Sequence, residues 1–187
     1  DDTRVFETLA DDVDRLARIS SALLALARGD AGEIRLEYAD VDVLQLLELM
    51  ASHYAPSAQA KGIEIVVDAS PVHVVADEDR LIQVLGNLLD NAVRYTSTGG
   101  RIALGCGGNG DMVRIWVSDT GIGIDAEHLP HIGERFYRVH HAESAGGAGL
   151  GLSISRMLIE AHRGGLSIAS RPGVGTTVTV ELPAHGH

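Results

Sequence analysis

The chain reads as an α+β layer fold led by a separate helix, and three observations predict it. Strand-like and helix-like segments are interspersed after residue 33 without a regular βαβ rhythm, which argues against a doubly wound parallel sheet. Two hairpins are clear, one around Gly107-Gly108-Asn109-Gly110 and one around Arg171-Pro172-Gly173-Val174-Gly175. The first 28 residues carry a heptad-like apolar seam that belongs to neither. With 187 residues, a chain buries roughly 70% of its unfolded surface. One domain, or one domain with a helical appendage, is therefore expected.

The elements follow in order. Val5, Leu9, Leu16, Ile19, Leu23 and Leu26 recur in alternating steps of four and three, with Asp12 breaking the seam. This spacing predicts a helix over residues 2 to about 28 that suits a coiled coil or helical bundle, stopped by Gly29-Asp30-Ala31-Gly32. Ile34 to Tyr38 alternates like a strand. Asp42 suits an N-cap for a helix to about Lys61, ended by Gly62. Residues 63–67 and 72–75 read as strands, and 78–95 as the most strongly periodic helix. Residues 101–106 and 112–118 form the first hairpin. Residues 120–148 are rich in Gly and His without periodicity, and a loop of that length in a compact domain is usually a functional lid. A helix over 150–163 and a hairpin over 166–182 complete the chain.

Composition narrows the function. The formal charge is −11, which disfavours a nucleic-acid binder, since that needs a basic face. Cys106 is the lone cysteine, so no internal disulfide and no Cys-rich zinc site is expected. No apolar run is long enough to span a membrane, and Asp1-Asp2-Thr3-Arg4 does not open a signal peptide. Lys61, the single lysine, lies in Ala60-Lys61-Gly62, so there is no P-loop. The strand lysine and His-Arg-Asp loop of Ser/Thr/Tyr kinases are missing too. A nucleotide bound here is bound by neither common route.

Three segments carry possible chemistry. On the helix over 79–96, Asn87, Asn91 and Arg94 share a line at the border of the apolar stripe. Two asparagines on one helix edge suit amide oxygens near a hard cation, with Arg94 near an anion. Val113 to Ile124 is a strand ending in Asp119, followed by Gly121 and Gly123. Such an Asp can accept from the exocyclic amine of a base, and the glycines let a ring approach the backbone. Gly146-Gly147-Ala148-Gly149-Leu150-Gly151-Leu152 leads into a helix, where free N–H groups and the positive dipole end suit phosphate. Taken singly, each also fits a plainer role: polar filler, a strand-exit turn and a hinge.

Their order and spacing are distinctive together. Asn87 to Thr96, Asp119 to Ile124, Glu134-Arg135-Phe136-Tyr137-Arg138, Gly147 to Leu152 and Gly173-Val174-Gly175-Thr176-Thr177 closely resemble the catalytic and ATP-binding domain of bacterial two-component sensor histidine kinases. These belong to the gyrase, heat-shock chaperone and mismatch-repair ATPase superfamily. The resemblance covers residues 33 to 183. It implies a Bergerat-type two-layer α/β sandwich, with a mixed, mainly antiparallel sheet covered on one face by about three helices. It also implies two parts: residues 1–30 as the second helix of a dimerisation hairpin, and residues 31–187 as the ATP-binding domain with a lid at about 121–149. Leu23-Leu24-Ala25-Leu26-Ala27-Arg28 is similar to the usual end of that helix.

The resemblance implies roles residue by residue. Asn91 matches the magnesium ligand, and Asn87 and Arg94 lie near the phosphates. Tyr95 matches an aromatic near the nucleotide. Asp119 matches the acceptor for the adenine amino group, in a pocket shaped by Gly121 and Gly123. Phe136 falls in the aromatic box of the lid, and Arg138 matches a guanidinium that reaches the γ-phosphate. Gly147, Gly149 and Gly151, with Leu150 and Leu152, match the phosphate-side lid, and Thr176 or Thr177 the last box beside adenine. ATP and Mg2+ are thus the implied cofactors. Asn87, Arg94 and Arg138 are the implied catalytic residues.

The reaction type turns on Asn87. Hydrolytic members of the superfamily carry a glutamate there as a base that activates water, and an amide cannot take that proton. Phosphoryl transfer, which depends mainly on positioning and charge neutralisation, is expected instead. The implied acceptor is a histidine on a dimerisation helix, then an aspartate of a response regulator receiver domain. None of the nine histidines matches the acceptor motif. The sequence therefore reads as a fragment of a longer, homodimeric kinase, or as one partner of a split kinase. A cytoplasmic location and no nucleic-acid partner are expected. A non-catalytic ATP-binding interaction module, or a serine kinase of the anti-sigma type, would carry similar boxes. The His128/His131 and His140/His141 pairs lack the fixed geometry and carboxylate partner of a metal site.

Overall fold

The computed structural model describes residues 20, 34–108, 110–139 and 149–185. The expected leading helix, the acceptor-free segment 1–30 as a domain, and Gly147 lie outside these residues, apart from Ser20. Within them the chain forms β1 (Ala39–Asp42), α1 (Val43–Ala60), β2 (Glu64–Val67), β3 (His73–Ala76), α2 (Glu78–Tyr95), β4 (Arg101–Gly108), β5 (Met112–Asp119), α3 (Gly151–Ala161), β6 (Gly165–Arg171) and β7 (Gly175–Pro183). Five strands make a mixed sheet in the order β2-β4-β5-β7-β6, and β1 pairs with β3 in a small second sheet. Only β2 and β4 run parallel; the other neighbours are antiparallel. This is the expected α+β sandwich with three helices.

Period-two alternation decides which sheet face the helices cover. Ile102, Leu104 and Cys106 of β4, Val113, Ile115 and Val117 of β5, and Val180 and Leu182 of β7 are all buried. They pack with Leu46, Leu47 and Met50 of α1, Leu81, Val84, Leu85, Leu88 and Leu89 of α2, and Ile154, Leu158 and Ile159 of α3. On the opposite face Arg114 pairs with Glu181 directly across β5 and β7, at 2.6 Å. Trp116 lies over Gly105, where a Cβ would run into the indole.

Caps set the helix ends. Asp42 Oδ1 accepts from Gln45 N at 3.1 Å, and Asp77 Oδ1 from Arg80 N at 3.1 Å. Glu78 and Asp79 in the first turn of α2 and Arg94 in the last follow the helix dipole. His162 links the end of α3 to the start of α2: Nδ1 donates to Leu158 O (2.7 Å), and Nε2 accepts from Asp77 N (3.0 Å).

One expected strand is displaced. Residues 34–38 alternate in sequence but are irregular, and β1 begins at Ala39. Side-chain contacts hold this segment in place of a ladder. Glu37 N donates to Asp77 Oδ2 at 2.9 Å, and Tyr38 meets His162 edge-on at 5.7 Å. Among the described residues no helix is long and apolar enough to cross a membrane.

Candidate functional site

The end of α2, the C-terminal end of β5, the β6–β7 turn and the described lid residues enclose a cavity of about 430 Å³. That lies within the usual range for a small-molecule site, roughly 300–1,000 Å³. Its apolar walls include Leu88, Val117, Ile168 and Val178, which continue the sheet and helix pattern into the pocket.

Asp119 stands where β5 ends. Its Oδ1 accepts from Gly121 N at 2.8 Å. Burial pushes its carboxyl above the usual aspartate range, and backbone N–H bonds from Gly121 and Thr176 pull it part of the way back. The loop after it is stitched on both sides: Ile122 N donates to Tyr95 O (3.2 Å) and Gly173 N to Ile122 O (2.7 Å). Gly121 has no room for a side chain, since a Cβ would lie 2.5 Å from Tyr95 O and 2.7 Å from Asp119 Oδ1. Gly123, at φ +70°, and Gly175, at φ +134°, bring backbone against backbone, at Arg171 O and Asp119 O. Ser170 joins these strands to the loop. Its hydroxyl accepts from Ile124 N (2.9 Å), donates to Gly175 O (2.9 Å) and meets Thr176 Oγ1 at 2.8 Å.

The opposite end is a helix face. Asn87, Asp90, Asn91 and Arg94 of α2 recur at i, i+3, i+4 and i+7, and all four line the cavity. Asn87 Nδ2 donates to Gly151 O (3.0 Å) and Ser155 Oγ (3.1 Å), which occupies both amide hydrogens. Gly151 O only accepts, so the amide orientation is fixed by chemistry and the Asn87 oxygen is left as its acceptor. Asp90 Oδ1 accepts from Tyr54 Oη of α1 at 2.9 Å.

The described lid residues add to this end. Tyr137 and Arg138 line the cavity, and Tyr137 Oη meets His128 Nδ1 at 2.8 Å. His131 Nδ1 lies 3.0 Å from Glu134 Oε1, and Arg156 Nη2 of α3 donates to Ile132 O at 3.3 Å. Phe136 N donates to Gly149 O (3.1 Å), closing the base of the lid.

Of the residues singled out from sequence, Asn87, Asn91, Arg94, Tyr95, Asp119, Gly123, Arg138, Gly149, Gly151, Leu152 and Thr176 line this one cavity. Four others stand apart from its walls. Gly121 lies beneath Asp119. Leu150 is buried in the core. Thr177 pairs with Ser118 across the sheet at 2.8 Å. Phe136 is 58% exposed with φ +65°, a strained value for an aromatic residue, and its neighbour Tyr137 is the aromatic that the described lid residues bring to the wall. Sequence reasoning passed over Asp90, Tyr137 and Ser170. Helical spacing from Asn87 marks Asp90; no local signal marks Ser170.

The donor set fits a nucleotide with a hard cation. Amide and carboxylate oxygens converge on the α2 face, and magnesium takes oxygen ligands with several waters. Among the described residues no group of three or more His, Cys, Asp or Glu side chains converges on one point. A cation held here would draw its remaining ligands from phosphate and water.

A family profile described as "Histidine kinase-, DNA gyrase B-, and HSP90-like ATPase" matches residues 76–186. Sensor protein IrlS of Burkholderia pseudomallei is 39% identical over 183 residues, which is 97% of this chain and 39% of that protein. Sensor protein SrrB of Staphylococcus aureus is 39% identical over 176 residues, 92% of this chain and 30% of that protein. The solved structure of full-length ShkA in complex with AMPPNP superposes with a TM-score of 0.87 at 34% identity, covering all of this chain and 40% of ShkA. The chain thus spans well under half the length of these relatives.

Proposed function

The chain belongs to the histidine kinase-, DNA gyrase B- and HSP90-like ATPase family, as the ATPase catalytic domain of a sensor histidine kinase, and from that premise we propose that it binds Mg-ATP in this cavity and transfers the γ-phosphoryl group to a histidine on a dimerisation helix. We place that helix in another segment or chain, since no histidine here carries the acceptor motif. Residues 1–30 act as the second helix of the dimerisation hairpin, and residues 31–187 as the ATP-binding domain.

One observation carries the reading: a half-buried carboxylate and an amide-rich helix face line opposite ends of a single cavity. Asp119 accepts from the adenine amino group, and the stitched loop around Gly121 and Gly123 orients the ring. Asn91 would hold Mg2+, which when bound would supply charge neutralisation at the phosphates. Arg94 and Arg138 face the phosphates and stabilise the charge that develops during transfer. The reaction forms a bond from the histidine ring nitrogen to the γ-phosphorus and breaks the bond to the bridging oxygen, with ADP leaving.

Asn87 supports transfer over hydrolysis. Its amide accepts no proton, and both its hydrogens are engaged with Gly151 and Ser155. The downstream acceptor is then a response regulator receiver domain, and the reaction belongs in the cytoplasm, where ATP is available. Incubating the chain with γ-labelled Mg-ATP and an acceptor-helix dimer tests this. Acid-labile label on histidine is the expected outcome. Stoichiometric ATP binding without transfer contradicts it and favours an interaction module, and acid-stable label marks a serine kinase.

A further inference from the structure

Asp90 is the only carboxylate that α2 presents to the cavity, and it stands between the amides of Asn87 and Asn91. Its partner comes from a different helix: the Tyr54 hydroxyl of α1 lies 2.9 Å from Asp90 Oδ1 and 3.1 Å from Gly86 O. Resting on the Mg-ATP reading above, we propose that Asp90 is a positioning residue for the metal, its carboxylate braced by Tyr54 and accepting hydrogen bonds from the water shell of the cation that Asn91 ligates.

Three points carry this. Magnesium dehydrates reluctantly and keeps several waters, whose polarised hydrogens need acceptors of negative charge. The amides on this face offer only neutral oxygens, so the carboxylate is the strongest acceptor that α2 supplies. Tyr54 uses one of about four lone-pair positions on Asp90 and fixes the plane of the group. Tyr54 is also a dependable donor, because burial and the Asp90 charge push its hydroxyl well above the ordinary phenol range. A tie between α1 and α2 alone would not need the carboxylate, since the Gly86 carbonyl already lies within reach of the hydroxyl.

The experiment measures ATP affinity of the 187-residue chain by calorimetry, once in excess Mg2+ and once in EDTA. The readout is the ratio of the two affinities. Asp90→Asn is expected to lower that ratio about tenfold, with the EDTA affinity unchanged or tighter because a charge facing phosphate is gone. Tyr54→Phe is expected to lower it about threefold, and the double variant no further than Asp90→Asn. A purely structural tie would instead lower the melting temperature and leave the ratio alone. An intact ratio in Asp90→Asn, with the ratio lost in Asn91→Ala, overturns the role of Asp90 while leaving the Mg-ATP reading standing. No Mg2+ effect in the parent chain overturns both.

Discussion

The two ends of the cavity are held by different means. Around Asp119 the walls are backbone: β5 and β7 in ladder register, glycines pressed against carbonyls, and a loop stitched by N–H groups of Ile122, Ile124 and Gly173. Around Asn87 and Asp90 they are side chains reaching between separate elements, to Gly151 and Ser155 of α3 and to Tyr54 of α1, while within the lid Tyr137 meets His128. A base is flat and rigid, so a pre-formed slot serves it. Phosphate and cation must be admitted, held and released, which suits contacts that cost little to break one at a time. The difference predicts that damage to the backbone of the first end is structural, whereas side-chain changes at either end are graded.

The largest effect is expected from Gly175→Ala. Its φ of +134° is hostile to a side chain, and the added Cβ meets the Asp119 carbonyl. A loss of at least about 3 kcal/mol in denaturant unfolding follows from that strain and clash. Tolerance within about 1 kcal/mol would mean the Asp119 end is as pliant as the other.

Asp119→Asn comes next and separates binding from folding. Losing a charged acceptor is expected to weaken ATP by roughly tenfold to a hundredfold in calorimetry, without lowering stability, because the ionised form is the one burial disfavours. The same shift sets the pH dependence. Asp119 holds its proton more readily when folded, so its contribution to stability rises as pH falls from its raised value toward the ordinary 3.8. Adenine needs the ionised acceptor, so ATP affinity should fall across that window while the ligand-free fold gains from this group. In Asp119→Asn both inflections should be absent.

Ser155→Ala should give the smallest change. The Ser155 hydroxyl is fully buried, donates to Gly151 O at 3.0 Å and accepts from Asn87. Its loss is expected to cost about 1 kcal/mol and to loosen the start of α3, with ATP affinity in EDTA nearly unchanged. A loss of adenine selectivity in this variant would show that the two ends are coupled.

How legible this was depended on periodicity. α2 is found at residues 78–95 because its apolar stripe is strongly periodic, and the structure adds an Asp77 cap and an acidic first turn at its start. Both hairpins were marked by glycine turns, though β4 ends two residues and β5 one residue later than the alternation suggests. Ile34 to Tyr38 misled, since alternation reports a half-buried edge and Tyr38 packs on His162 instead of pairing. At the site, helix arithmetic gathers Asn87, Asn91 and Arg94, and a strand exit gives Asp119. Tyr54 is absent from that list because it lies more than thirty positions from Asp90 and only tertiary packing joins them. Phe136 was the conspicuous aromatic of the lid, but its positive φ turns the chain so that Tyr137 lines the wall.

The most direct measurement is a titration of the chain with a non-hydrolysable ATP analogue in Mg2+, followed by amide chemical shifts. Saturation at one nucleotide per chain is expected, with the largest shifts at Gly121, Gly123 and Thr176 and along Asn87 to Arg94. Shifts confined to some other surface, or no saturable binding of any adenine nucleotide, would contradict this site assignment.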